Sequence, residues 1–189
     1  MKPWMVGMAV AVATAAASAT AWAQGYPARP VTLIVPFPPG GGTDTGGRIL
    51  AEQLGKRWGQ TVIVDNKGGA AGQIGADLVA KAKPDGYTLL LGNIGTQAID
   101  PSLYAEGALP GFNSISWLGL LAPAGTPAEI VEEISADVRA VLADDAVKAR
   151  YVALGGVPRG TTSAQFAKLI EDDRRRYAKV IADRKITAE

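Results

Sequence analysis

Three short apolar runs, each followed by a glycine-containing turn or loop, constrain the fold of this chain more than any other feature. The runs are rich in β-branched and aliphatic residues and alternate little with polar ones, which is typical of strands buried on both faces. They are "VTLIVP" (31–36), "TVIVDN" (61–66) and "YTLLLGN" (87–93). Helical patterns follow the first two, from Thr43 to Trp58 and up to about Lys83. This repetition predicts β-α-β units around a parallel sheet.

The second half of the chain predicts one more strand, "ISWLGLL" (115–121), and three helices. Two of the helices begin with a capping-box pattern, in which a Thr side chain and a residue three positions later satisfy free backbone N–H groups. The boxes are Thr126 with Pro127 at the first helical position and Glu129, and Thr162 with Gln165. A short helix over roughly 145–154 lies between them, and the last helix runs to about residue 183.

The first 23 residues are expected to be a secretory signal peptide. Lys2 precedes an apolar run at about 6–17, and the segment ends in the small-x-small sequence 21–23, before Gln24. The alternative is a transmembrane anchor, but spanning a bilayer takes roughly 20 apolar residues, more than this run provides. We therefore expect an exported, periplasmic protein.

Composition argues against several classes of function. Removal of residues 1–23 takes away Lys2 and leaves 18 basic and 18 acidic residues, so the basic stripe of a nucleic-acid binder is not expected. The chain contains neither cysteine nor histidine, which excludes thiol nucleophiles and a Ser-His-Asp triad. The acidic pairs 144–145 and 172–173 diverge on their helices and do not resemble a hydrolytic pair or a metal cage. We expect no enzyme, cofactor or metal site.

The turn "VPFPPGGGTD" (35–44) is the strongest candidate for a binding site. Ligands of parallel sheets bind beyond the carboxyl ends of the strands, and the glycine segments 39–42 and 92–95 directly follow two strands. A P-loop is absent, because Thr43 and Asp44 follow the glycines in place of Lys and Ser or Thr, and a dinucleotide fingerprint that starts at Gly40 fails at Thr45. Bare backbone N–H groups at a helix start suit a carboxylate. A strand-to-helix turn without a ligand is the alternative.

Asp44 and two tryptophans leave alternatives open. Asp44 either caps the helix and offsets its dipole, or holds a polar group of a ligand, and the two roles are compatible. Trp58 and Trp117 could stack on a ligand, but their spacing favours a place in the core.

Several stretches together resemble the Bug receptors, the extracytoplasmic solute receptors of tripartite tricarboxylate transporters. The resemblance covers nearly all of the chain after residue 23, and it rests on "YPARPVTLIVPFPPGGGTD" (26–44), "AAGQIGADLVAKAKPDGYTLLLGN" (70–93), "GTQAIDPSLY" (95–104) and "WLGLLAPAGTPAEIV" (117–131). It implies an α/β fold like a type II periplasmic binding protein, with a three-layer lobe, a parallel-rich sheet and C-terminal helices. It also implies a small carboxylate ligand and, as further partners, membrane subunits of a transporter.

The resemblance also implies which residues contact the ligand. They lie in the turn after the first strand and in the loop after the third, where backbone N–H groups and bridging water would reach a carboxylate. The expected ligand-binding residues are Phe37, Pro39, Gly40, Gly41, Gly42, Thr43, Asp44, Asn93, Gly95, Thr96 and Gln97. No catalytic and no metal-binding residue is expected.

The chain departs from the Bug pattern after "PSLY" (101–104), where a second lobe would normally follow. We therefore expect the second lobe to be largely absent. The predicted organisation is a signal peptide (1–23), the first part of the ligand-binding lobe (24–104), a shortened crossover with a returning strand (105–125) and C-terminal helices packed on the lobe (126–189). Weak carboxylate binding without hinge closure is the expected result. The alternatives are a Rossmann-like enzyme domain that binds phosphate or a nucleotide, and a ligand-free interaction protein.

Overall fold

A four-stranded mixed sheet organises the protein, whose computed structural model describes residues 25–93, 95–99 and 117–186. The strands are β1 (Val31–Val35), β2 (Val62–Asn66), β3 (Thr88–Asn93) and β4 (Leu118–Leu121). Their order is β2-β1-β3-β4, with β1 parallel to β2 and β3, and with β4 antiparallel to β3. The predicted α/β fold with a mostly parallel sheet is confirmed. The predicted signal peptide and residues 105–116 of the predicted crossover lie outside the described residues.

Five α-helices are described, two of them in the first half of the chain. They are α1 (Gly42–Trp58), α2 (Gln73–Ala80), α3 (Ala128–Ala143), α4 (Asp145–Ala153) and α5 (Ser163–Arg184). A 3₁₀ turn, Ala70–Gly72, precedes α2, and a π-helical turn, Gly95–Ile99, follows β3. All of the predicted helices are present within a few residues of the expected bounds.

The core has three layers because alternate side chains of the central strands point to opposite faces of the sheet. Val31, Leu33 and Val35 of β1 pack with apolar residues of α1, α3 and α4. Ile34 of β1 points the other way and packs with Val79 of α2. β1 is therefore buried on both faces, as its continuous apolar sequence predicts.

One expectation about a buried element is wrong. β2 is an edge strand and is not fully buried: its residues are half-buried or exposed, and Ile63 is 48% exposed. In α2, Ile74 and Leu78 are exposed while Val79 is buried. An apolar sequence alone does not give the number of neighbours that an element has.

The capping box predicted at Thr126 is also wrong. The Thr126 hydroxyl donates to the carbonyl of Pro123 at 2.8 Å, and α3 begins one residue later than expected, with Pro127 as its N-cap. No side chain caps the N-terminus of α3, so the predicted box does not form. At α5 the predicted box is confirmed, because Thr162 Oγ1 accepts from the N–H of Gln165 and Gln165 Oε1 accepts from the N–H of Thr162.

Helix α5 lies against the end of the sheet and the π-helical turn, and none of its residues is fully buried. The Phe166 ring packs on Gly119 of β4 and meets Trp117 edge-on, with 5.2 Å between ring centroids. Trp117 Nε1 also donates to Asp173 at 2.8 Å. Trp58 makes a similar pair of contacts, with Asp137 and with the edge of Tyr26. Both tryptophans thus have packing roles.

Replacing Gly119 by alanine tests how α5 is held. A Cβ at this position would overlap the Phe166 ring, so the ring must leave its place on β4. We expect Gly119→Ala to lower the free energy of unfolding by about 1–3 kcal/mol, as overpacking does. Thermal and urea unfolding followed by tryptophan fluorescence measure it. Adding Phe166→Leu is expected to restore part of the loss, and an unchanged stability in Gly119→Ala would contradict this packing.

Candidate functional site

Three glycine-containing segments meet at the carboxyl ends of the parallel strands. β1 and β3 are parallel neighbours, with Ile34 opposite Leu90, so the segments that follow them start side by side. Gly72 of the 3₁₀ turn lies between these segments, because a Cβ on it would meet Thr96 Cγ2 at 2.7 Å and Phe37 Cζ at 3.4 Å. The turn after β1 and the π-helical turn after β3 are therefore joined by the third glycine loop, 68–72.

The glycine turn before α1 is open to solvent. Pro39, Gly40, Gly41 and Gly42 are exposed, and Gly40 has a φ of +88°, which favours glycine. Gly41 is the N-cap of α1 without a side-chain cap. The N–H groups of the first helical turn have no acceptor within their own helix, and the helix dipole makes this end partly positive. The turn therefore presents backbone donors suited to an anion.

Asp44, in the first turn of α1, holds the glycine turn in place by hydrogen bonds on its buried side. Its side chain is 4% exposed. Its Oδ2 accepts from the Gly40 N–H and from Arg48 Nε, each at 2.9 Å, and its Oδ1 accepts from Asn66 Nδ2 at 2.9 Å. Of the two roles considered for Asp44, this geometry favours the structural one, because the carboxylate bonds within the protein. The carboxylate also takes the Gly40 N–H, which leaves the exposed amides of Gly41 and Gly42 for a ligand, because Thr43 is only 3% exposed.

Arg48 and Asn66 complete this cluster, and the sequence reasoning did not single them out. Arg48 Nη2 donates to Asn66 Oδ1 at 3.1 Å, and Asn66 Nδ2 donates to the Phe37 carbonyl at 3.0 Å. The available signals were the i,i+4 spacing of Asp44 and Arg48 and the position of Asn66 at the end of β2. The Arg48 guanidinium, more than the N–H of Gly40 and the amide of Asn66, holds the pKa of Asp44 down to about 2 although burial opposes it.

The polar residues after β3 satisfy one another. Asn93 Oδ1 accepts from the Thr96 N–H at 3.0 Å, and the Asn93 N–H donates to Thr96 Oγ1 at 3.2 Å. Both residues are 5% exposed. Gln97 and Gly95 are half-buried, and Gln97 Nε2 lies 3.5 Å from Thr96 Oγ1. Asn93 and Thr96 thus shape the turn, whereas Gln97 and the backbone are better placed to meet a ligand.

A cavity of about 340 Å³ lies beside the turn, on the face of the sheet covered by α2. Thr96 and Gln97 line it together with Gln73, Leu90 and other residues, but among the described residues no part of the glycine turn does. Thr96 and Gln97 therefore line this cavity, whereas the glycine turn lies outside its lining.

Two further properties of residues 25–93, 95–99 and 117–186 bear on function. Within them, no cluster of three or more acidic side chains is arranged to hold a metal ion. No helix in that part of the chain has the length and apolar content needed to cross a membrane.

Comparison with known sequences gives a consistent family. The model described as "TctC: Tripartite tricarboxylate transporter family receptor" matches residues 47–107 and 102–186. Protein BugT of Bordetella pertussis is 58% identical over 69 residues, which are 36% of this chain and 21% of that protein. A UPF0065 protein from the TAR-I ttuE-ttuC' intergenic region of Agrobacterium vitis is 37% identical over 172 residues, covering 87% of this chain and 48% of that protein. The chain spans about half the length of this second relative and less of the first.

Solved structures share the fold at low sequence identity. The periplasmic binding protein BugD superposes with a TM-score of 0.75 and 21% identity, covering 87% of this chain and 100% of that one. MatC from Rhodopseudomonas palustris with bound malate superposes with a TM-score of 0.74 and 20% identity, covering 82% and 100%. The fold of this chain is that of periplasmic binding proteins.

The Asp44 cluster predicts a distinct dependence of stability on pH. Because the pKa of Asp44 is lowered from 3.8 to about 2, its ionisation stabilises the fold above pH 4, and this contribution is lost as the pH falls through about 2. Asp44→Asn replaces one accepting oxygen by an NH2 group, which would face N–H donors. We expect the free energy of unfolding to fall by about 1–3 kcal/mol at pH 6. The difference between wild type and variant is expected to narrow toward pH 2, measured by urea unfolding.

Asp77→Asn is the matched control for this series. Asp77 forms an exposed i,i+4 ion pair with Lys81 on α2, and such surface pairs contribute about 0–1 kcal/mol. We expect little change in stability at any pH. If Asp44→Asn behaves like this control at pH 6, the buried carboxylate does not hold the turn.

Proposed function

We propose, because the chain belongs to the tripartite tricarboxylate transporter receptor family, that it is an extracytoplasmic solute-binding receptor for a small carboxylate. Family and fold are those of solute-binding receptors and not of enzymes. In this proposal the ligand is bound and released without chemical change. The binding of malate by MatC, a protein of the same fold, supports a carboxylate as the ligand class.

The observation that carries the proposal is the open N-terminal end of α1. Gly41 and Gly42 are exposed, and a Cβ on Gly42 would meet no atom within 4 Å. The chain therefore leaves free space beside the first residue of α1. Backbone N–H groups together with the helix dipole attract a carboxylate without any basic side chain, which suits a chain with balanced charges.

The two strand-end segments have different roles in the proposed site. The ligand carboxylate lies at the amides of Gly41 and Gly42, next to Pro39 and Gly40, whereas Thr43 is buried, with 3% exposure. Phe37, Gly95 and Gln97 line the adjoining wall, since the Phe37 ring and Thr96 both lie against Gly72. The buried side chains of Asp44, Asn93 and Thr96 hold the backbone of these segments in place.

The domain organisation remains a proposal. We assign residues 24–104 to the first part of one lobe, 105–125 to a shortened crossover with a returning strand, and 126–189 to helices packed on that lobe. Two findings support it: the family match comes in two stretches that meet at 102–107, and the chain spans about half of the second relative. One lobe covers only one side of a ligand, and backbone donors attract an anion less where water remains. Weak binding without hinge closure follows.

The surroundings of the protein are proposed on the same basis. Residues 1–23 act as a signal peptide that directs the chain to the periplasm. There the receptor presents its carboxylate to the membrane subunits of a tripartite transporter. A nucleic-acid partner is not part of the proposal, because basic and acidic residues balance.

Gly42→Ala tests the site with little risk to the fold. Gly42 has free space around a Cβ and no positive φ, and alanine favours a helix by up to about 1 kcal/mol over glycine. We expect an unchanged or higher melting temperature. The added methyl group stands in front of the amides, so we expect the affinity for the bound carboxylate to fall about tenfold, roughly 1.4 kcal/mol.

Titration calorimetry with malate, adipate and related small carboxylates measures this effect. Gly25→Ala, where a Cβ also has free space, is the matched control and is expected to bind as the wild type does. Equal affinity in Gly42→Ala would remove the glycine turn from the site. Wild-type binding at micromolar strength or better would contradict the one-sided site, and stabilisation by nucleotides alone would replace the proposed function.

A further inference from the structure

We propose that Arg48 is the charge-compensating residue of this site: it neutralises Asp44, so that the carboxylate that positions the glycine turn does not repel an anionic ligand. Arg48 acts through Asp44 and is a positioning residue in this account. The inference rests on the proposed function, since it explains how a site for carboxylates tolerates a carboxylate of its own.

Asp44 connects the glycine turn to the neighbouring strand β2. Its two oxygens connect the N–H of Gly40, on the turn after β1, with the side-chain amide of Asn66, at the end of β2. The same amide group donates to the Phe37 carbonyl. One buried carboxylate therefore fixes both ends of segment 37–40 relative to the neighbouring strand.

The negative charge of Asp44 opposes the positive end of the helix dipole. A helix N-terminus carries a partial charge of roughly +0.5. Asp44 brings a full negative charge into that first turn, close behind the amides that would face the ligand. By itself this charge exceeds the dipole in magnitude and would give the turn a negative potential. An uncompensated Asp44 would therefore oppose the binding of any anion.

Arg48 lies one helical turn after Asp44. Its Nε lies 2.9 Å from Asp44 Oδ2, and its Nη2 lies 3.1 Å from Asn66 Oδ1. Two bonds thus hold the positive charge against the carboxylate. The other charged pair at this end of β2, Asp65 with Lys67 at 3.2 Å, balances itself. Among the described residues at this edge the charges cancel, and the helix dipole with its free amides remains as the source of attraction.

The variants separate charge from geometry. Arg48→Ala removes both the charge and the two bonds, whereas Arg48→Lys keeps the charge and loses the paired contacts. Lys56→Ala is the matched control, because Lys56 pairs with Glu52 at i,i−4 on the same helix, about four turns away from the glycine turn. Circular dichroism and thermal unfolding identify any variant that fails to fold.

The decisive measurement is made without ligand, on the exchange of the Gly41 and Gly42 amide hydrogens with water, followed by NMR in base-catalysed conditions. A more negative potential repels hydroxide and slows exchange, whereas a loosened turn exchanges faster. We expect Arg48→Ala to slow these amides by on the order of three- to tenfold, with Arg48→Lys close to wild type and Lys56→Ala unchanged. Unchanged or faster exchange in Arg48→Ala, or no recovery in Arg48→Lys, would overturn the inference.

A titration with malate in the same variants keeps the two proposals apart. Weaker malate binding in Arg48→Ala, recovered in Arg48→Lys, supports the role of Arg48 at a carboxylate site. Wild-type protein that binds neither malate nor any other carboxylate would sink the receptor function, and the exchange rates would still decide whether Arg48 compensates Asp44.

Discussion

The buried carboxylate of Asp44 is the interaction on which this site depends. Its oxygens accept from a backbone N–H, a guanidinium and a side-chain amide, which belong to the turn after β1, to α1 and to β2. A glycine-rich turn has many accessible conformations, and glycine loses more freedom on folding than other residues do. A side chain that gathers three elements at once selects one of those conformations. The glycines can then stay bare on the side that faces solvent.

Elements whose formation depends on nearby residues were predictable from sequence. β1 lies between two strands and has helices on both faces, so the burial expected from its continuous apolar run is observed. The Thr162 box involves residues three positions apart and is also confirmed. β2 has a similar apolar sequence but lies at an edge, and strand order is set by contacts that periodicity does not record. At Thr126 the hydroxyl donates to the nearby carbonyl of Pro123 and caps no backbone N–H, which the sequence pattern does not reveal.

The location of the candidate site was predictable for a topological reason, but the roles of its side chains were not. Parallel strands place the segments that follow them at one edge, and the segments after β1 and β3 do meet there. Asn93, Thr96 and Asp44 were expected to contact a ligand because of the resemblance to the Bug receptors. Each also bonds to a residue of the protein, and one partner, Asn66, lies on a strand 22 positions away from Asp44. Such pairings depend on tertiary distance, which a single sequence does not give.

Backbone recognition explains how a chain with 19 basic and 18 acidic residues can attract an anion. Peptide donors need no net charge, but their attraction is short in range and weakens as water enters. The affinity of such a site therefore rises most when water is excluded, and a second lobe excludes water from a ligand by closing over it. In the proposed one-sided site, the local charge balance becomes more important, because a single uncompensated carboxylate is stronger than the dipole behind the amides. In this proposal, the pairing of Asp44 with Arg48 lets the turn be both rigid and attractive to a carboxylate.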